Sequence, residues 1–200
     1  MVTLLEKGAD INTQGGKYGT ALIAAAYGGN YQAVGFLVKE EADVTASSLK
    51  FGSAVCGGAW KGNAKIIALL IQAGAVVNSR SEEHGRALRI ASWRGNRKAV
   101  DVLIAHPPGG IVQAEAYGAA LQAAAWIGNV DIMQDLIEVG ADVNSEAGEY
   151  GTALHAAAWN GSRAAVHSLV RCRAEVDARD KKQGTAIQIA AWIGHVESMQ

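Results

Sequence analysis

Gly19-Thr-Ala-Leu-Ile-Ala-Ala-Ala-Tyr-Gly-Gly-Asn30 decides how this chain folds, because the pattern returns with its first glycine at Gly52, Gly85, Gly118, Gly151 and Gly184. Each step is 33 residues, and a second glycine keeps the same spacing at Gly29, Gly62, Gly95, Gly128, Gly161 and Gly194, so no insertion or deletion interrupts the array. One aromatic column, Tyr27, Trp60, Trp93, Trp126, Trp159 and Trp192, uses every tryptophan in the protein. Self-similarity at this period marks a solenoid, in which a unit cannot bury its apolar face alone and stacks on its neighbours.

The residues around each copy read as turn, helix, helix. Thr20, Ser53, Thr152 and Thr185 stand where an N-cap would open a short first helix, and the glycine at 29 and its equivalents can take the left-handed conformation that ends it. Asn30, Asn63, Asn96, Asn129 and Ser162 then cap a second helix with bulkier apolar residues, such as Ile66, Ile67, Leu69, Leu70 and Ile71. Gly74 or Gly140 closes that helix, and a polar stretch such as 145–150 forms a projecting turn. Leu22, Ala25 and Ala26 share one face of the first helix, which is expected to point inward. With alanine-rich first helices stacked more tightly than second helices, the solenoid should curve, leaving first helices and turns on the concave side.

The 33-residue period, the cores Gly-Thr-Ala-Leu-His-Ala-Ala-Ala (151–158) and Gly-Thr-Ala-Leu-Ile-Ala-Ala-Ala (19–26), and Gly-Ala-Asp-Ile/Val-Asn at 8–12 and 140–144 resemble ankyrin repeats along the whole chain. Alanine replaces the usual proline of Thr-Pro-Leu-His, and an aromatic-Gly pair precedes the cap at Tyr18, Phe51, Tyr117 and Tyr150. That variant looks like the arrays of filamentous fungi, often found C-terminal to NACHT modules of NLR-like signalling proteins. The resemblance implies an all-α solenoid with units 12–44, 45–77, 78–110, 111–143 and 144–176 and partial units 1–11 and 177–200. It also implies a non-enzymatic scaffold that binds a protein or peptide through the first helices and turn tips. The alternative is the sensor region of a larger NACHT-type NTPase. Met1 and Gln200 both fall in second-helix columns, so the array is expected to be truncated at both ends. His106-Pro-Pro-Gly-Gly110 departs from the motif, and its prolines are expected to end a helix and distort the turn.

Composition agrees. The chain has 200 residues with a net charge of −1, 38 alanines and only 12 aromatics, which suits thin, closely stacked helices. No polyanion surface, membrane span or leader segment is indicated, and the chain reads as cytoplasmic, a monomeric module or part of a longer chain. Cys56 and Cys172 lie too many layers apart to bridge. The five histidines occupy different columns without metal-ligand spacing, Gly57-Gly58 lacks a phosphate-loop context, and no catalytic set converges, so no cofactor or metal is expected.

Function should sit where the copies differ. One column reads Ile23, Cys56, Arg89, Gln122, His155, Gln188 and another Gly28, Lys61, Arg94, Ile127, Asn160, Ile193, and such variety implies exposure. Arg89 with Trp93, and His155 with Trp159, are four apart and should share the groove-facing side. The candidate partner-binding residues are Tyr27, Trp60, Lys61, Arg89, Trp93, Arg94, Gln122, Trp126, Glu149, His155 and Trp159. The aromatic column has two compatible uses, rings packed across layers or anchors for a partner. By the family pattern His155 could instead bond the turn backbone. Residues 80–98 carry Arg80, Arg86, Arg89, Arg94, Arg97 and Lys98, whereas 131–149 carry six carboxylates and no cation. A solvated face explains this most simply; an acidic peptide near Arg89 and Arg94 is the partner class it would favour, rather than nucleic acid.

Overall fold

Helix pairs succeed one another at the repeat spacing in the computed structural model, which describes residues 2–75, 82–107, 110–148, 150–180, 182 and 184–198. Helix α1 (Val2–Glu6) holds the second-helix position ahead of the first full unit. The units then run α2 (Ala21–Gly28) and α3 (Tyr31–Lys39), α4 (Ala54–Lys61) and α5 (Ala64–Gln72), α6 (Glu82–Trp93) and α7 (Arg97–Ile104). Next come α8 (Gly110–Ile127) and α9 (Val130–Glu138), α10 (Ala153–Asn160) and α11 (Arg163–Arg171), and finally α12 (Ala186–Ile193). The extended structure is confined to turns: β1 (Ser47–Ser48) pairs antiparallel with β2 (Gly52–Ser53), and single bridges join Gly15 to Gly19 and Asp180 to Gly184.

Most caps form where the sequence places them, but Ser53 makes no side-chain cap bond, its hydroxyl donating to Cys56 Sγ at 3.8 Å. Thr20 Oγ1 accepts from the Ile23 amide at 3.3 Å. Asn30, Asn63 and Asn129 accept from the amides of Ala33, Ile66 and Ile132 at 3.0, 3.2 and 3.1 Å. Asn96 differs, its Nδ2 donating to the Ala59 carbonyl of the preceding unit at 3.1 Å. The motif Gly-Ala-Asp-x-Asn is a turn device that reaches across units. Asp142 accepts from the Asn144 amide at 2.9 Å while Asn144 Oδ1 accepts from the Glu175 amide, one unit on, at 2.8 Å. Asn12 does the same for Asp43 at 2.8 Å. The glycine that closes the second helix is left-handed at Gly8, Gly74 and Gly140, and the same column holds Glu41 and Arg173 at φ 61° and 68°, where a side chain costs about 1 kcal/mol.

Two units depart from the expected turn. Where Thr or Ser caps the first helix elsewhere, these units have Arg86 and Ala119, which give the backbone no capping oxygen, and α6 and α8 extend further upstream. The leading glycine changes with them: it is left-handed at Gly19, Gly52, Gly151 and Gly184 but lies inside a helix at Gly85 and Gly118. The aromatic before it is half-buried at Tyr18, Phe51 and Tyr150, whereas Tyr117 is carried inside, and burial pushes its phenol pKa up. Helix α7 ends at Ile104, one residue short of the column where α3, α5, α9 and α11 end without a proline, and the chain is helical again from Gly110, the first residue of α8.

First helices pack on first helices more extensively than second helices on second helices, with α6 and α8 the most extensive pair described. Small residues make this possible. A Cβ on Gly57 would come within 2.8 Å of the Tyr27 backbone nitrogen, so the backbones of α2 and α4 are in direct approach. Leu22 and Ala26 are buried as expected, and the second helices contribute Ile66, Ile67, Leu70, Ile132, Met133 and Leu136 to one continuous core. Ser92 interrupts the otherwise alanine column Ala26, Ala59, Ala125, Ala158 inside that core, and its Oγ has no hydrogen-bond partner among the described residues. An unsatisfied buried hydroxyl costs about 1–3 kcal/mol, so Ser92→Ala should raise stability by about 1 kcal/mol. A urea midpoint that falls in the variant would contradict this.

Candidate protein-binding face

The aromatic column runs along the first helices, and its rings pair across unit boundaries. Trp60 and Trp93, 40% and 46% exposed, stack with centroids 6.0 Å apart, and the Arg94 guanidinium lies 4.8 Å over the Trp60 ring. Tyr27 is half-buried; its hydroxyl donates to the Phe51 carbonyl at 2.6 Å. Trp126 stacks on Tyr150 at 4.4 Å and meets Trp159 at 6.3 Å; both tryptophans are half-buried. The column therefore packs across layers and also presents indole faces to solvent, so its two uses coexist in geometry.

Between Trp93 and Trp126 an open cleft of about 260 Å³ lies along the junction of α6 and α8. Arg89, Ile90, Trp93, Gln122, Trp126 and Tyr150 line it. Arg89 and Trp93 both reach it from one side of α6, as their four-residue spacing implies. Ile90 also lines a second hollow of about 430 Å³, bounded by Tyr18, Tyr27, Phe51, Trp60 and Lys61 together with Lys17, Lys50 and Arg86. The last three were not among the sequence candidates. Their signal was nonetheless present: Lys17 and Lys50 each precede the aromatic-Gly pair and fall in one column. Glu149 lies outside the described residues.

Charge is distributed less simply than its order along the chain. Arg97 leaves this face and closes on α9, with Nε and Nη2 each 2.8 Å from a different Asp135 oxygen and Nη1 3.9 Å from Asp131. The paired carboxylates favour its charged form. Part of the basic segment thus neutralises part of the acidic one through the second helices, while Arg89 and Arg94 stay on the first-helix face.

A family model of three ankyrin repeats matches residues 120–200 and a single-repeat model matches residues 19–49, together more than half of the chain. This chain is an ankyrin repeat protein. Two solved ankyrin structures share its architecture. The human ASB11 ankyrin repeat domain superposes with a TM-score of 0.79 at 23% identity, covering 94% of this chain and 85% of that one. The ankyrin repeat domain of Bcl-3, a member of the IkappaB family, gives 0.70 at 22% identity, with 90% and 82% covered. No curated protein matches the sequence. As an ankyrin array the chain is a protein–protein interaction module. No described helix is long and apolar enough to cross a membrane.

The ankyrin geometry corrects one inference from the sequence. The variable column Ile23, Cys56, Arg89, Gln122, His155, Gln188 is not an exposed column: Ile23, Cys56, Gln122 and His155 are buried, and only Arg89 and Gln188 are exposed. Ile23, Cys56, His155 and Gln188 occupy the third position of their first helices, and Arg89 and Gln122 the same repeat position within the longer α6 and α8. His155 Nδ1 accepts from the Thr152 amide at 3.1 Å, so its Nε2 carries the proton and donates to the Gly184 carbonyl of the next unit at 3.0 Å. Gln122 Nε2 donates to the Gly151 carbonyl at 2.7 Å. His155 is therefore a buried clasp between units and not a partner contact; Gln122, also buried, shows the cleft only an edge.

Proposed function

We propose that this ankyrin array binds a protein or peptide segment on its first-helix face, centred on the cleft between α6 and α8. The observation that carries this is that Arg89 and exposed Trp93 line the cleft while exposed Trp60, with Arg94 over its ring, stacks on Trp93 beside it, the residue types that dominate binding energy at interfaces. The two indoles are stacked and the guanidinium is held over a ring, so little side-chain entropy remains to be lost when a partner arrives. Tyr27, Lys61, Trp126 and Trp159 extend the face on either side, and the turn tips flank it. The array supplies recognition and no chemistry of its own.

The test is affinity capture from a lysate with the wild-type chain and with Lys61, Arg89, Trp93 and Arg94 all changed to alanine, after circular dichroism shows equal helicity. A protein retained by the first and lost by the second supports the face. A Lys65→Ala, Lys98→Ala control on the second helices should retain it; loss there instead, or equal capture by all chains, refutes the proposal.

A further inference from the structure

We infer that the hollow rimmed by Lys17, Lys50, Lys61 and Arg86 takes an acidic peptide segment of a partner protein. Its carboxylates would meet the cations, and an apolar or aromatic side chain would sit against Tyr18, Tyr27 and Phe51. This deepens the binding reading above and rests on it.

The first support is charge. Four cationic side chains line one hollow, and none of the described residues lining it is a carboxylate. Lys17, Lys50 and Lys61 are exposed and make no ion pair among the described residues. Elsewhere the same chain does neutralise a cation, holding Arg97 bidentate to Asp135, whereas the three lysines here meet no carboxylate among the described residues. Like charges gathered round one concavity repel, and their field focuses outward on an incoming anion.

The second support is the floor. Tyr18, Tyr27 and Phe51 pack on one another with centroids 5.0–6.1 Å apart. Lys17 Nζ lies 5.2 Å from the Tyr18 ring centre and Lys50 Nζ 5.6 Å from that of Phe51. The rings thus position the ammonium groups at the rim, and their stems and edges leave an apolar bed between. Because the ring faces are engaged by each other and by the lysines, they do not offer the free stacking platforms that single-stranded nucleic acid needs. Position favours a chain over a lone anion: Ile90 is a shared wall of the hollow and of the cleft at Arg89 and Trp93, so the two adjoin and an extended segment could reach across both.

The probe is a fluorescein-labelled dodecapeptide rich in glutamate with one central phenylalanine, monitored by anisotropy against the full 200-residue chain. Saturable binding is expected, with Lys17→Glu, Lys50→Glu weakening it about tenfold or more and the second-helix control Lys65→Glu changing it less than about twofold. Replacing every glutamate of the peptide with glutamine should abolish binding. Both substituted lysines are exposed, so melting temperature should not move. No saturable binding by the wild-type chain overturns the inference. So does equal weakening by Lys65→Glu, or competition by a twelve-nucleotide oligothymidine as strong as by unlabelled peptide. If the capture experiment succeeds through Arg89 and Trp93 while the acidic peptide fails, the binding face stands and only the partner chemistry assigned here falls.

Discussion

His155→Ala is expected to cost about 3 kcal/mol of stability, more than the ring's size alone would suggest. The ring is buried and holds two backbone groups in different units, the Thr152 amide at 3.1 Å and the Gly184 carbonyl at 3.0 Å. Truncation strands both groups, each worth about 1–3 kcal/mol when buried and unpaired, and leaves a void that only water could partly fill. The array itself supplies the control. Gln188 accepts from the Thr185 amide at 2.9 Å and Gln122 donates across the unit boundary at 2.7 Å, so glutamine does both jobs in this column. His155→Gln should therefore lose less than about 1 kcal/mol. Urea melts in which the glutamine variant is as weak as the alanine variant would show that the bonds are incidental and that ring volume is what matters.

Trp126→Ala should cost about 2–4 kcal/mol, because the indole is half-buried, stacked on Tyr150 at 4.4 Å and in contact range of Trp159. Trp192 is the internal comparison: it has the same repeat position but is 77% exposed, and its loss to alanine should stay below about 1 kcal/mol. A loss under about 1 kcal/mol at Trp126 would remove packing from the account of the aromatic column there. Trp126→Ala also enlarges the cleft it lines, so a binding defect in that variant is interpretable only beside its melt.

Most of the scaffold was legible in the residues. Left-handed glycines and helix caps are local devices, and Gly29, Asn30 and their equivalents act where the 33-residue period puts them. The lengthened α6 and α8 were legible too, though only through what is missing: Arg86 and Ala119 stand in a column of Thr and Ser. Burial in the column of His155 was hidden for a physical reason. Variety among copies resembles the freedom of a surface, yet a side chain tucked under a turn must only fill space or complete a bond, and isoleucine, cysteine, glutamine and histidine all do one or the other. The basic hollow escaped notice because it is assembled from three units, and Lys17 and Lys50 sit on turn residues outside the helix faces that periodicity describes.

The extended pair α6 and α8 bears on how the chain acquires its structure. A solenoid behaves as a row of marginally stable units joined by nearest-neighbour coupling, and the strongest coupling chooses where order begins. With the longest helices and the broadest mutual contact among the described residues, the third and fourth full units form the natural nucleus, from which order spreads to the units on either side. Fraying then starts in units remote from this pair, and the segment bearing the cleft at Trp93 and Trp126 is the last to open. A partner docked there would grip the portion of the array that persists through partial unfolding, so recognition and kinetic endurance draw on the same two helices.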